Sequence, residues 1–520
     1  MWRFLAPEIL ALALPSVAIN LLADFAPMHE VTTLIYAAPI VAFVMLATVI
    51  GVARAGTLWA RSGQRANARG RVRQPAPANW VATSIVIGGA LIGQRLDGYL
   101  PGSGHYLALA VNDHHRAAQT VIDQIPADAS VSAQDRLDPH VSGRSTVYLF
   151  PRIEDADTVF LDVTGSAWPL HPSDLKAQVD TLLAGDYGVA AANSGYLLLS
   201  KQAASDVIPP EFYTAWTMPS PAMDVQTTLP LSVTFGDELR LLDAKVGVDR
   251  YGELVTEFTW EALRPIDRDL RFYVGYLDQE GNVLHDSLFY PPVTALWYPT
   301  RMWSPGQPVT VRMLPWTLSG DAFALVAGVY EGDNGWSEGK RLPVTSSDVT
   351  LPILESDTVV RLGGFAKTPG NGNWSEVAPD QGAPAPALDL LFGDSIRLTA
   401  AETAGKAKPG STIPVRLAWQ TTRSPALDYS RFVHLLDATG AKVAQFDSAP
   451  GDAIGKLPFS NWPQGWRGLD TVLLETPANL APGDYTIVTG LYDWQSGARL
   501  PVAGAATGDT YVVGQVRIEP

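Results

Sequence analysis

Asp135, His140 and Arg144 are three polar side chains in one short run, and their types and spacing invite chemistry. A guanidinium can hold a phosphate or a carboxylate, and an imidazole changes charge near neutral pH and can relay a proton. The competing reading is structural: Asp135 caps a short helix, while His140 and Arg144 bond backbone carbonyls of the next turn. A second set is aromatic. Trp303, Trp462 and Trp466, with Trp297, Trp336 and Trp494, offer flat apolar faces of the kind that stack on pyranose rings. Asp286 and Asp447 could accept hydrogens from sugar hydroxyls. The competing reading is packing, because Trp303 and Trp462 hold matching positions in an internal repeat. His105, His114 and His115 make a poor metal set, since neighbours on a helix point about 100° apart. Ser395 lies in Phe392-Gly-Asp-Ser, which resembles an esterase block, but the matching copy has Glu238 there, so a shared strand start explains both. Asn373-Trp-Ser375 fits a glycosylation sequon. No phosphate-binding loop, nucleophile elbow or zinc-protease helix motif occurs, and with no cysteine there is no disulfide, thiolate metal site or cysteine nucleophile. No metal and no cofactor is expected.

The elements that carry these residues differ in composition along the chain. Charged residues are 17% of 520, against about 25% in an ordinary soluble protein. Hydrophobic residues are 47% and mean hydropathy is +0.06, which excludes a disordered chain, a collagen and a coiled coil. The net charge is −16. Residues 1–100 hold eight Arg and no Lys against Glu8, Asp24, Glu30 and Asp97, or +4, leaving −20 for the rest. An acidic bulk repels phosphate backbones, so nucleic acid is not an expected partner.

Three apolar stretches, at about 4–23, 31–53 and 78–96, read as transmembrane helices, the third being open to a buried core helix instead. Between the second and third, residues 54–73 carry Arg54, Arg61, Arg65, Arg69, Arg71 and Arg73 and no acid. Positive loops stay in the cytoplasm. The expectation is a multi-pass protein of the cell membrane with a lipid bilayer as partner, its amino terminus cytoplasmic and everything after about residue 100 extracytoplasmic.

Residues 101–205 then alternate helical and strand patterns: a helix over Asn112–Ile125, strands at Ser130–Ala133, Thr146–Leu149 and Thr158–Asp162, a helix at Pro172–Leu183, and a hairpin at Tyr187–Ala191 and Gly195–Ser200. That predicts a small, mostly parallel α/β domain. A Pro-rich linker follows at 206–230, after which the chain repeats itself. Phe235-Gly-Asp-Glu-Leu-Arg-Leu returns as Phe392-Gly-Asp-Ser-Ile-Arg-Leu, Trp303 as Trp462, Gly328 as Gly490, and Arg341-Leu-Pro-Val as Arg499-Leu-Pro-Val. Near-constant spacing means a duplicated domain, at 231–356 and 389–520 with a linker at 357–388. Alternating strands and Asp278–Gly281 and Asp437–Gly440 turns predict antiparallel sandwiches. The expected fold class is multi-domain: N-terminal transmembrane α-helices, a small α/β domain, and two tandem antiparallel β-sandwich domains of immunoglobulin-like type.

The run VSAQDRLDPHVSGRSTVYLFP (Val131–Pro151), preceded by IPADA and followed by ADTVFLD, resembles a family of predicted polytopic bacterial and archaeal membrane proteins. That family has no defined function and is grouped with GT-C type glycosyltransferases. RFLAPEILALALPSVAINLLAD and YAAPIVAF resemble its last membrane helices, so the likeness covers residues 3–200. It implies glycosyl transfer from a polyprenyl-phosphate-linked sugar at the outer membrane face. The family's presumed catalytic acids lie in an early outer loop, upstream of the matching segments. The chain thus looks like the carboxyl-terminal, acceptor-facing part of such a protein, with a separate upstream membrane subunit as a possible partner. The alternative is a non-catalytic, membrane-anchored surface module that binds glycans or partner proteins.

Overall fold

The computed structural model describes residues 6–22, 39–51, 53–54, 78–98, 100–103, 111–218, 223–249, 251–348, 350–370, 372–504 and 508–520. The chain divides into two compact units, Met1–Ala110 and Val111–Pro520.

The first unit is helical. One α-turn (Pro7–Leu10), a 3-10 turn (Ala11–Ala13) and a short α-helix (Leu14–Leu22) follow one another; residues 39–51 are helical; and Ala78–Asp97 is the longest helix. Among the described residues, no helix is long and apolar enough to cross a membrane. This overturns the expected transmembrane helices and the multi-pass topology drawn from them. A 3-10 turn interrupts the first stretch. Of the second stretch, residues 39–51 are helical, and residues 31–38 and 52 lie outside the described residues. Asn79, Thr83, Ser84 and Gln94, with Gly88, Gly89 and Gly93, dilute the third. Leu12, Leu22, Met45, Val49, Leu91 and Ile92 nevertheless stand exposed. Arg54 pairs with Glu8; Arg61, Arg65, Arg69, Arg71 and Arg73 lie outside the described residues.

The second unit is mostly β-sheet. Its α/β layer holds β1 (Val131–Ala133), β2 (Val147–Leu149), β3 (Thr158–Asp162), β4 (Gly188–Asn193) and β5 (Tyr196–Ser200), in the order β2-β1-β3-β5-β4. β1 runs parallel to β2 and β3, whereas β5 is antiparallel to β3 and β4. The sheet is therefore mixed rather than mostly parallel, because Ser194 and Gly195 turn β4 straight back into β5 with positive φ at both residues. Phe160 and Leu198 face the helix Asp113–Ile122 through Val121. Val159, Leu161, Leu197 and Leu199 face the opposite layer with Leu175 and Val179 of the helix Pro172–Ala184. Burial on both faces explains the unbroken apolar runs in β3 and β5.

The first sandwich pairs two sheets. One contains β6 (Asp224–Phe235), β7 (Leu239–Val248), β8 (Leu254–Ala262), β11 (Pro308–Arg312) and β13 (Val344–Ser347), in the order β11-β8-β7-β6-β13. The other contains β9 (Leu270–Leu277), β10 (Val283–Asp286), β12 (Ala322–Glu331), β14 (Ile353–Leu354), β15 (Val359–Lys367) and β16 (Trp374–Val377), in the order β10-β9-β12-β15-β14 with β16 on β15. The second sandwich repeats this plan with β17 (Leu390–Phe392), β18 (Ile396–Thr403), β20 (Thr412–Thr421), β23 (Arg467–Glu475) and β25 (Val502–Ala503) facing β19 (Lys406–Ala407), β21 (Tyr429–Leu436), β22 (Lys442–Ser448), β24 (Gly483–Asp493) and β26 (Tyr511–Ile518). A bulge interrupts β12 against β15 between Leu325 and Val326, and β24 against β26 at the matching Ile487 and Val488. Neither expected linker is featureless. Residues 357–388 carry β15 and β16, because a further strand follows the Arg-Leu-Pro-Val end of each copy, and 206–230 holds a one-turn helix (Thr214–Thr217) and the start of β6.

In each copy the loop after β10 or β22 docks on the module before it. The first loop meets the α/β layer: Phe289 O lies 2.6 Å from His171 Nε2, and Trp297 packs 5.9 Å from the Phe212 ring. The second meets the first sandwich: Lys456 N–H donates to Gln279 O at 2.8 Å, and Asp452 pairs with Arg361 at 2.9 Å.

Candidate functional site

The sequence places an acid at the end of β3, where an open sheet with parallel strands offers a crevice to ligands. Asp162 is that residue. Its Oδ2 lies 3.1 Å from His114 Nε2, and its Oδ1 accepts from the Thr164 N–H at 2.9 Å and the Thr164 hydroxyl at 2.7 Å. His114 is placed by its helix, which Asn112 caps: the Asn112 side chain accepts from His115 N while His115 Nδ1 accepts from Asn112 N. The His114 ring stacks on Tyr196, centroids 4.4 Å apart. Gly195 closes the arrangement from the β4–β5 turn. Its φ is +81°, and a Cβ there would come within 2.1 Å of Thr164 Cγ2, so both backbone and contact require glycine.

Burial alone would raise the Asp162 carboxyl, but the hydrogen bond and charge of His114, with two bonds from Thr164, hold it below the usual carboxylate range. Burial, aided by the Asp162 charge, pushes the Tyr196 phenol up. Because the folded-state carboxyl is depressed, its stabilising contribution is present above about pH 4 and is lost as pH falls through the lower folded value. Asp162→Asn is therefore expected to destabilise the chain at pH 7 and to differ little from wild type at strongly acid pH, measured by urea unfolding across that range. An equal difference at both ends would refute the pairing.

Of these residues, His114 and Thr164 form part of one wall of a cleft of about 480 Å³, while Asp162, bonded to both, does not line it. Asp113, Asn193, Ser194, Trp216 and Met218 extend that wall, and Val293, Thr310 and Arg312 of the first sandwich form the other. Arg312 donates through Nε to buried Glu257 at 2.6 Å. Trp216 is wedged between Phe212 and Tyr298, at 5.5 and 6.3 Å. Polar donors and acceptors over a partly apolar floor, at this volume, suit a small hydroxylated ligand. The geometry does not suit a nucleophilic triad. Thr164 Oγ1 lies 3.3 Å from the same Nε2 that meets Asp162, whereas a relay needs the carboxylate and the nucleophile on opposite ring nitrogens. Among the described residues, no group of three His, Asp or Glu could hold a metal ion; His105 lies outside them.

The residues singled out from the sequence sit elsewhere. Asp135 and His140 are exposed, and Asp135 accepts from the neighbouring Arg136 N–H. Arg144 donates to the Val141 and Ile125 carbonyls. None of the three lines the cleft. Trp303 and Trp462 are buried and bond equivalent carbonyls, Tyr298 O and Leu457 O, each at 2.8 Å, so neither presents a face to a sugar. Trp466 is half-buried against the second core. Sequence reading noticed the acid closing TVFLD and the histidine pair, but nothing local links His114, Asp162 and Arg312.

No curated protein matches the chain. Among solved structures, the CARDB domain of a Pyrococcus furiosus protein is 10% identical, covering 24% of this chain and 94% of its own, with a TM-score of 0.16. A Bacteroides uniformis beta-glucuronidase is 8% identical over 50% of this chain and 28% of its own, also with a TM-score of 0.16. A putative beta-galactosidase from Bacteroides fragilis is 11% identical over 51% and 32%, with a TM-score of 0.13. The chain spans less than a third of the length of these two enzymes, and none of the three bears on the cleft. Residues 1–198, which include His114, Asp162 and Thr164, match the model of a family described as a predicted membrane protein (DUF2079).

Proposed function

We propose that this chain is a membrane-attached surface module that holds a glycan in the cleft between its α/β layer and first sandwich. The cleft itself carries the reading: Asp113, Thr164, Asn193, Ser194 and Arg312 line it together with apolar Ala117, Ala215, Met218 and Val293. Hydroxyl-rich ligands need such paired donors and acceptors with an apolar face beneath the ring. Lipid attachment is supported by the family description over residues 1–198, with Leu22, Met45 and Leu91 exposed on the helices of the first unit. In a polyprenyl-phosphate-dependent glycosyl transfer, this module presents the acceptor, and a partner membrane subunit carries the transfer chemistry.

Met218 is 60% exposed at the cleft mouth, so Met218→Trp fills the opening without touching the core. The detergent-solubilised full chain is expected to retain specific members of a glycan array, and Met218→Trp to lose them at an unchanged unfolding midpoint. No glycan retained, or identical retention by the variant, would sink the proposal.

A further inference from the structure

The duplication supplies an internal control for a second cleft. It lies on the outer face of the second sandwich, has a volume of about 370 Å³, and is walled by β18, β20, β23 and the segment 380–388. Three neighbouring strands place Arg397, Gln420 and Arg467 side by side: Arg397 pairs in register with Gln420, and Gln420 with Arg467. In the first sandwich the same register holds Arg240, Glu261 and Pro308. There Arg240 donates to Glu261 at 3.1 Å, and the set carries no net charge. In the second sandwich Glu has become Gln and Pro has become Arg, so the set carries +2.

Those charges are only partly answered. Arg397 NH1 meets Asp389 at 3.0 Å, while its buried Nε has no partner among the described residues. Arg467 is exposed and has no ionic or hydrogen-bonded side-chain partner among them. The cleft is also preformed. Pro384 and Pro386 fix the backbone of the roof, Ala387 and Leu388 both donate to Thr399 O, and Arg416 ties down Gly382 O. We infer that this cleft binds a hydroxylated monocarboxylate, of which a sugar acid is the natural class. A carboxylate takes paired N–H donors in one plane. Asp380 and Asp389 also line the cleft and can accept from hydroxyls; with them its two Arg and two Asp carry no net charge, which suits a singly charged hydroxylated ligand better than a dianionic phosphate. This site is independent of the interdomain cleft.

Calorimetric titration of the solubilised full chain with D-galacturonate and with D-galactose isolates the carboxylate. Galacturonate is expected to bind about tenfold tighter or more. Gln420→Glu rebuilds the first copy's ion pair and is expected to remove that advantage without lowering the unfolding midpoint, as is Arg467→Gln. Met218→Trp, in the other cleft, is expected to leave the galacturonate titration unchanged. Equal affinity for the two sugars, or undiminished galacturonate binding by Gln420→Glu, would overturn the assignment. Inorganic phosphate competing as well as galacturonate would do the same.

Discussion

Asp452→Ala is expected to cost about 3–5 kcal/mol of stability, because it strands a buried cation. Arg361 on β15 is 5% exposed and Asp452 is 2% exposed, with 2.9 Å between NH2 and Oδ1. The same oxygen accepts from the Ile454 and Gly455 N–H groups. Removing the carboxylate leaves the guanidinium dry in the joint between the sandwiches and leaves two amides without their acceptor. A pair of apolar replacements behaves differently: Arg361→Met with Asp452→Leu is expected to recover most of the loss, since the desolvation penalty disappears with both charges. Urea unfolding of the two single variants and the double variant closes this cycle. Additive losses in the double variant would show that the two side chains do not act as a pair.

Trp462→Ala is expected to cost about 3–5 kcal/mol, the range for deleting a buried aromatic. The indole is fully buried, packs edge-on to Phe459 at 5.0 Å, and donates to Leu457 O at 2.8 Å. Gly468 leaves room for it, as a Cβ there would lie 2.4 Å from Trp462 Cη2. Trp462→Phe keeps much of the packing but orphans the Leu457 carbonyl, so a smaller loss of about 1–3 kcal/mol is expected. Trp303 in the first copy stacks on Phe272 at 5.7 Å, makes the equivalent bond and should respond alike. Thermal unfolding measures each cost. Weakened glycan retention by Trp462→Ala with an unshifted midpoint would mean that the ring touches ligand after all.

The duplicated domains were legible because strand alternation, tight turns and matched tryptophans recur at near-constant spacing. The α/β elements were legible for the same local reasons: TVFLD is β3 residue for residue, and the helix read from Asn112 has that residue as its cap. The β4–β5 hairpin was legible too, but not that β5 rather than β4 pairs with β3, because strand order is set by packing across the sheet and not by local pattern. The N-terminal stretches misled because apolar composition alone does not reveal a 3-10 interruption or the length of unbroken helix. For Asp135, His140 and Arg144 the sequence left a chemical and a structural reading open, and the bonds of Arg144 to backbone carbonyls are those of the structural one. The cleft depends on His114 and Thr164 of the α/β layer sharing a lining with Arg312 of the first sandwich, and no local spacing encodes a juxtaposition of that separation.

The same loop in each sandwich clasps whatever precedes it, so the modules are joined by lock and socket rather than by tether. Growth by duplication could then lengthen such a protein one module at a time while each new joint reused an old one. In β26, Val512 and Gln515 stand where the socket on β15 has Arg361 and Gly364, so the second sandwich does not repeat the charge and bare backbone with which the first receives its neighbour's loop.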